Sequence, residues 1–232
     1  MKFLIILLGA SFAAQAHDVI TTPITWSREI SRIVYQRCVA CHHDGGSAFS
    51  LATYADIRPW AEAVKEEVLA RRMPPWGAVK GFGDFRNDQG LTAEQIELIG
   101  SWANGGVPEG DAKDLPSAPF ADSVYQTDAP AGGIGVSGEF KLDKPIFLDG
   151  LYPSMTSKSA SFQITAQLPD GTVEPVLWLS NYQNQFKHSF LLRTPLELPA
   201  GTVIRGVPSD ATVLLLPAAS DSTEAAPKSG GE

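Results

Sequence analysis

The stretch RCVACHHDGG, residues 37–46, contains both cysteines of this 232-residue chain and two of its four histidines. Cys38 and Cys41 are three residues apart, and His42 follows Cys41 directly. Two cysteines are too few for a disulfide framework, so three kinds of site remain open for the pair. They are a redox-active dithiol, half of a zinc site, and an attachment point for haem.

The segment before this motif has the apolar spacing of an amphipathic helix, which Thr25 or Ser27 can cap. Its predicted buried face consists of Trp26, Ile30, Ile33 and Val34. At positions i, i+3 and i+4, Cys38, Cys41 and His42 lie on one helical turn and project toward a common side. Covalent haem c needs this arrangement, in which the two sulfurs form thioether bonds and His42 binds the iron. The C-x-x-C-H spacing is the pattern of such an attachment site.

The context weighs against the other two kinds of site. A thioredoxin-like dithiol follows a strand in a βαβ unit, whereas this motif follows an amphipathic helix. Tetrahedral zinc needs two further ligands, and His17 and His188 are the only histidines outside the motif. The sequence therefore favours one covalent haem c, with the dithiol as the main alternative.

Haem iron in electron carriers usually takes a second axial ligand, and methionine is a common one. The candidates are Met73 and Met155. Met73 lies in RRMPPWG, residues 71–77, directly after a predicted helix with Pro59 in its first turn. Because two prolines cannot continue that helix, they hold Met73 at the start of a stiff extended segment. We expect Met73 to bind the iron; the alternative is that it fills a gap in the core.

A third helix is predicted after residue 91. Thr92 and Gln95 have the spacing of a capping box, and Asn-Gly-Gly at 104–106 is a stop signal. The expected buried face consists of Ile96, Ile99 and Trp102. Three helices around a porphyrin would give a small domain a core that its own chain could not otherwise fill.

The composition changes near residue 115, from helical spacing to short alternating runs separated by Gly, Pro and Asp. The predicted fold class is α+β, with an N-terminal all-α domain followed by a small antiparallel β-sandwich domain. The predicted divisions are a signal peptide at 1–16, a helical domain at 17–115, a linker at 116–139, a β-sandwich domain at 140–218 and a disordered tail at 219–232.

The first 16 residues predict export. Lys2 precedes the apolar run FLIILLGASFAA, and Ala14 and Ala16 flank Gln15 as in a cleavage site. No later apolar run approaches the roughly 20 residues of a membrane-spanning helix. The net charge of −8 argues against nucleic acid and anionic membrane surfaces as partners. We therefore expect a periplasmic or secreted protein without a membrane span.

Residues 25–46, 51–77 and 86–111 together resemble the cytochrome c domain of exported bacterial proteins, which is often fused to redox modules. The resemblance covers about residues 25 to 114. It implies that Cys38 and Cys41 bind haem covalently, that His42 is the proximal ligand, and that the methionine of Met-Pro-Pro-Trp, Met73, is the distal ligand.

Residues 159–207 are similar to the C-terminal β-domain of copper type II, ascorbate-dependent monooxygenases. The shared features are the LPDGT and LPAGT turns and the aromatic residues Tyr182, Phe186 and Phe190. The histidine pair that binds copper in that family is missing, because Ser154 and Thr156 occupy its positions. Neither hydroxyl is a good copper ligand. The β-domain is therefore expected to be a framework without the metal site.

Several other residues are candidate ligands or ion-pair partners. Since His43 adjoins His42, we expect it to point elsewhere into solvent. His17 would become the N-terminus after cleavage, but nothing nearby offers a second histidine for copper. His188 lies in a strand pattern and is predicted at the surface or on a sheet face. Arg71 and Arg72 can pair with haem propionates or simply end a charged helix.

The sequence thus predicts an exported c-type cytochrome that transfers single electrons to or from a redox partner protein. Catalysis by residues of its own is not expected, because no Ser-His-Asp or paired-carboxylate pattern stands out. One alternative is a haem-bearing interaction subunit of a larger redox complex, docked through the β-domain. A less favoured alternative is an oxidoreductase related to the copper monooxygenases.

Overall fold

The computed structural model describes residues 23–117, 130–156 and 159–218. The described residues form helices in the first half of the chain and two antiparallel sheets in the second, so the α+β class is confirmed. The predicted signal peptide, His17 and the tail at 219–232 lie outside the described residues, as does the middle of the predicted linker.

Four α-helices occur in the described first half. They are α1 (Ser31–Arg37), α2 (Tyr54–Ile57), α3 (Ala61–Leu69) and α4 (Ala93–Asn104). A π-helical turn, Trp26–Ile30, leads into α1, and 3₁₀ turns lie at Arg58–Trp60 and Ala112–Asp114. The side chain of Thr25 accepts a hydrogen bond from the Arg28 backbone N–H at 3.4 Å and so caps the first turn.

The predicted apolar face before the motif is confirmed. Its four members, Trp26, Ile30, Ile33 and Val34, are buried in the helical core. The same core contains Ile96, Ile99 and Trp102 of α4. The predicted capping box of α4 is also present: the Gln95 N–H donates to Thr92 Oγ1 at 3.1 Å, and the Thr92 N–H donates to Gln95 Oε1 at 3.0 Å.

The second half contains eight described strands in two four-stranded antiparallel sheets, ordered β1-β8-β3-β6 and β2-β7-β4-β5. The strands are β1 (Ile134–Val136), β2 (Phe140–Lys141), β3 (Ile146–Met155), β4 (Ser159–Gln167), β5 (Val173–Gln183), β6 (Phe190–Leu198), β7 (Val203–Arg205) and β8 (Thr212–Pro217). The region predicted as a β-sandwich domain, residues 140–218, contains β2 to β8. By contrast, β1 lies within the segment predicted as a linker, where it pairs with β8.

Both sheets contribute to one hydrophobic core, with Leu148 and Leu151 from one sheet and Ile164 and Leu177 from the other. Each of these four side chains is fully buried. Trp76 also belongs to this core, although it lies between two helices of the first half in the sequence.

The segment from Trp76 to Gly90 is bonded to both sheets. Along β5, the Val79 N–H donates to the Trp178 carbonyl at 2.9 Å. Along β6, the Arg86 N–H donates to the Leu191 carbonyl at 2.9 Å. The Arg86 guanidinium also makes a bidentate ion pair with Asp149 on β3, at 2.7 and 2.8 Å. The segment between α3 and α4 is therefore fixed by contacts that are distant in sequence.

Candidate cofactor site

A cavity of about 340 Å³ brings the four predicted site residues together. Cys38, Cys41, His42 and Met73 all line it. Most of its remaining wall is apolar, with Leu51, Ala63, Val64, Val68, Pro74 and Pro75 among the lining residues. Its size is within the usual range for small-molecule pockets, which are mainly hydrophobic and carry a few polar groups at defined places.

The cysteine motif forms a single turn at the end of α1. The Cys41 N–H donates to the Cys38 carbonyl at 3.1 Å, and the His42 N–H donates to the same carbonyl at 2.9 Å. The i→i+3 and i→i+4 bonds have the spacing of a helical turn, so all three side chains reach the same cavity. Both cysteines are free thiols.

The His42 ring is oriented by a backbone carbonyl. Its Nδ1 lies 2.9 Å from the oxygen of Phe49, where a neutral imidazole donates a hydrogen bond from Nδ1–H. This tautomer leaves the lone pair on Nε2, the atom that then serves as a metal ligand. The Phe49 ring packs edge-on against the imidazole, with ring centroids 5.0 Å apart. Metal-binding histidines are commonly held in this way.

Of the two methionines considered as ligands, only Met73 lines the cavity. Its backbone N–H points back to the Glu67 carbonyl at 3.3 Å, and Pro74 and Pro75 follow it along the wall. Met155 is 58% exposed at the end of β3 and does not line this cavity. The placement of Met73 is the one that the sequence favoured, and its role as a ligand stays a prediction.

Arg37 supplies a cation that the sequence analysis missed. It lines the cavity, and its Nε is buried without a hydrogen-bond partner among the described residues. One terminal nitrogen, Nη1, donates to the Asp88 carbonyl at 2.6 Å. A buried, unpartnered N–H is costly, so a carboxylate bound beside it would be stabilised. The signal in the sequence was its position directly before Cys38.

The two arginines that the sequence offered as partners of haem propionates have other surroundings. Arg72 makes a bidentate pair with Glu67, with both N···O distances at 2.8 Å. This contact lowers the pKa of the Glu67 carboxyl. Arg71 lines a neighbouring cavity of about 310 Å³, which shares Met73 and Pro74 with the first cavity. Neither arginine lines the cavity that contains the cysteines.

The thiol environment does not favour a redox dithiol. Burial, followed by the neighbouring Cys41, raises the pKa of the Cys38 thiol to about 12, although Arg37 acts in the opposite direction. Reactive dithiols need a thiolate, and their pKa values are lowered rather than raised. A raised pKa keeps the Cys38 thiol protonated, which is the opposite of what a redox-active dithiol needs.

The remaining candidate ligands have local partners. Among the described residues, no group of three or more His, Cys, Asp or Glu side chains is arranged to hold a metal ion. The Nδ1 of His43 lies 2.8 Å from the Asp44 carbonyl oxygen, and His43 does not line the cavity. Ser154, at the position expected for a copper-binding histidine, donates from Oγ to the Thr212 carbonyl at 3.2 Å.

His188 is where sequence reasoning and structure disagree most. It was predicted at the surface or on a sheet face, yet the structure buries it completely. It stacks on Trp76, with ring centroids 4.8 Å apart and an interplanar angle of 21°. The available signal was its position two residues before β6, in step with Phe190 and Leu192, which are buried as well.

Comparison with protein-family models found no match, and comparisons with curated proteins and with solved structures found none either. Within the described ranges, no helix is both long enough and apolar enough to cross a membrane.

Proposed function

We propose that this protein is an exported c-type cytochrome that binds one haem covalently and carries single electrons. The observation that carries the proposal is the convergence of Cys38, Cys41, His42 and Met73 on one apolar cavity. The orientation of His42 by the Phe49 carbonyl supports it, because that contact leaves Nε2 available as a ligand.

In this proposal each residue has one task. Cys38 and Cys41 would hold the haem through their sulfurs. His42 Nε2 and Met73 Sδ would be the protein ligands of its iron, and Arg37 would pair with a propionate carboxylate. The bound haem supplies the Fe(III)/Fe(II) couple. If His42 and Met73 both bind the iron, no position would be left for a substrate, so electron transfer would be favoured over turnover.

The finer assignment of the fold follows from the same residues. We propose that the helical half is a cytochrome c domain and that the sheet half is a β-sandwich like that of the copper monooxygenases, without their metal site. The predicted signal peptide supports a periplasmic or secreted location. A second redox protein is the proposed partner, because a single-electron carrier needs both a donor and an acceptor.

Covalent attachment is tested by haem staining of a denaturing gel. The wild-type protein, exported from a host with a haem-attachment system, should keep its haem on the gel. The double variant C38A/C41A should lose it, because no thioether can form. A wild-type band without covalent haem would falsify the proposed function.

The axial ligands are tested by optical spectra of the purified protein in both oxidation states. The ferric wild type should show the charge-transfer band of methionine–iron ligation, and Met73→Ala should abolish this band. Met155→Ala is the matched control, because Met155 is exposed and lies outside the cavity. Persistence of the band in Met73→Ala would refute Met73 as the ligand while leaving covalent haem intact.

The exposed aromatic rings at the cavity support a protein partner. Phe49 and Trp60 line the cavity, are 51% and 46% exposed, and have ring centroids 4.7 Å apart. Exposed aromatic side chains of this kind are enriched in protein–protein interfaces. Trp60→Ser should slow electron exchange with the native redox partner, and the methionine charge-transfer band shows whether the haem site itself is kept, because Trp60 also lines the cavity. An equal rate would argue against this surface.

A further inference from the structure

Met73 lies in the wall of the cavity, and the chain continues from it directly into the segment from Trp76 to Gly90, which is bonded to the sheets. Met73 follows α3, and its backbone N–H is tied to that helix through the Glu67 carbonyl. Three residues later, Trp76 is 2% exposed and packs in the sheet core. Met73 therefore lies between a helical anchor on its N-terminal side and a sheet anchor on its C-terminal side.

His188 is the centre of the sheet anchor. Its Nε2 lies 3.1 Å from the Trp76 carbonyl oxygen, and its ring stacks on the Trp76 indole. Its Nδ1 lies 2.7 Å from the carbonyl oxygen of Phe186, whose side chain lines the haem cavity. A neutral imidazole carries one N–H, so it donates to one of these two carbonyls and lies against the other. The buried ring therefore contacts two backbone segments, and both lead into the cavity wall.

The backbone after Trp76 is fixed just as closely. The Ser180 N–H donates to the Gly77 carbonyl at 2.8 Å, so the segment runs beside β5. Gly77 has φ +74°, and a Cβ there would lie 2.9 Å from the Tyr182 ring and 3.2 Å from its Cα. Since any larger residue would push the segment away from β5, only glycine allows this close approach.

We propose that His188 and Trp76 are positioning residues for Met73, so that the sheet half of the protein determines how firmly the sulfur ligand is held. This inference rests on the proposed function, and it gives the sheets a role within the cofactor site. A methionine ligand favours the reduced state and raises the reduction potential. Loosening the sheet anchor should therefore weaken the sulfur ligation and lower the potential without releasing the covalent haem.

The first test replaces His188. His188→Leu removes both carbonyl contacts, whereas the side-chain amide of His188→Gln can donate to the Trp76 carbonyl in place of Nε2. In the ferric holoprotein, His188→Leu should lose most of the methionine charge-transfer band and show a lowered reduction potential. His188→Gln should restore both in large part. Val213→Ala is the control for general destabilisation, because it creates a cavity in the sheet core at a position on β8. This variant should keep the band.

A second pair of variants covers the case in which His188→Leu does not fold. Gly77→Ala and Gly81→Ala both place alanine at a positive φ, +74° and +84°, but only the first meets Tyr182, because nothing lies within 4 Å of a Cβ at Gly81. Gly77→Ala should weaken the charge-transfer band and lower the potential, and Gly81→Ala should leave both as in the wild type.

The outcomes separate this inference from the proposed function. A wild-type protein without covalent haem overturns both. A spectrum that is unchanged in Met73→Ala overturns this inference and the assignment of Met73 as a ligand, and it leaves covalent attachment of haem standing. If Met73→Ala abolishes the band while His188→Leu and Gly77→Ala keep the wild-type band and potential, the cytochrome proposal stands and the positioning role is refuted. Equal loss in Val213→Ala and His188→Leu also refutes it.

Discussion

His42 and Met73 line the same cavity, but the contacts that position them differ in their separation along the sequence. The orientation of His42 is local, since the carbonyl that it contacts belongs to Phe49, seven residues away. The environment of Met73 depends on His188, which contacts Trp76 across 112 positions of sequence. The local arrangement could be predicted from the C-x-x-C-H spacing. The contact between His188 and Trp76 could not be predicted, because a lone histidine in an alternating sequence pattern does not indicate which segment it packs against.

Burial of His188 makes the protein sensitive to acid. Desolvation lowers the pKa of His188 to about 4 from an ordinary 6.5, while the nearby carbonyls act in the opposite direction. The unfolded chain therefore binds a proton in this range before the folded protein does, and stability is lost as the pH falls. Between these two pKa values, protonation of this group in the unfolded chain should lower the free energy of unfolding by about 1.4 kcal/mol for each unit by which the pH falls.

Urea denaturation of the wild type and of His188→Phe across this pH range checks the expectation. The variant has no group to titrate at this position, so its stability should depend less steeply on pH, whatever its absolute value. Parallel pH profiles for the two proteins would show that His188 is not the source of the acid sensitivity.

Arg37 should raise the reduction potential of the bound haem. A positive charge beside the cavity favours the ferrous state, because that state carries one positive charge less. Arg37→Gln should therefore lower the potential measured by redox titration. Arg72→Gln is the matched control: its guanidinium is paired with Glu67 and does not line the cavity. A similar shift in both variants would mean that only overall charge matters.

Most helices and strands could be predicted, because their apolar residues repeat with the right period and their ends carry capping or turn residues. The π-helical turn and α1, and likewise α4, bury the predicted faces. Leu69, the last residue of α3, continues that helix's apolar stripe in sequence but is 58% exposed. Strand β1 was missed because Ile134–Val136 is too short to show a period and is defined by pairing with β8.

The contribution of a single helix cap can be tested at the capping box of α4. Thr92→Ala removes the hydroxyl that accepts from the Gln95 N–H, so the free energy of unfolding should fall by about 1 kcal/mol. Thr92→Ser keeps the hydroxyl and should lose much less. Chemical denaturation of the three proteins measures both effects, and equal losses would indicate that the methyl group matters rather than the cap.

At the scale of the whole molecule, two hydrophobic cores are connected by the segment from Trp76 to Gly90. The sequence places this segment in the helical half, whereas Trp76 and Phe85 pack in the sheet core. Composition and periodicity report only on neighbours in sequence, so they could not reveal that the segment belongs to both halves. The predicted domain boundaries stay predictions. They assign this segment to the helical domain, although Trp76 and Phe85 within it pack in the sheet core.

Truncation of Trp76 should destabilise the sheet half strongly. Trp76→Ala leaves a large cavity in a packed core, at a cost of about 3–5 kcal/mol in the free energy of unfolding. Trp178→Ala, at a 37% exposed position on β5, is the control and should cost clearly less. Denaturant unfolding followed by circular dichroism measures the difference, and similar losses would show that Trp76 is not a core residue.

The contact between Trp76 and His188 also sets an order of events during biosynthesis. The chain is made from its N-terminus, so the turn with Cys38, Cys41 and His42 emerges first, whereas His188 follows Trp76 by 112 residues. Contacts between residues so far apart in sequence form late in folding. The thiols would consequently be accessible before the opposite wall of the cavity forms. Under the proposed function, this order would leave the cysteines open to haem attachment until the sheets complete the cavity.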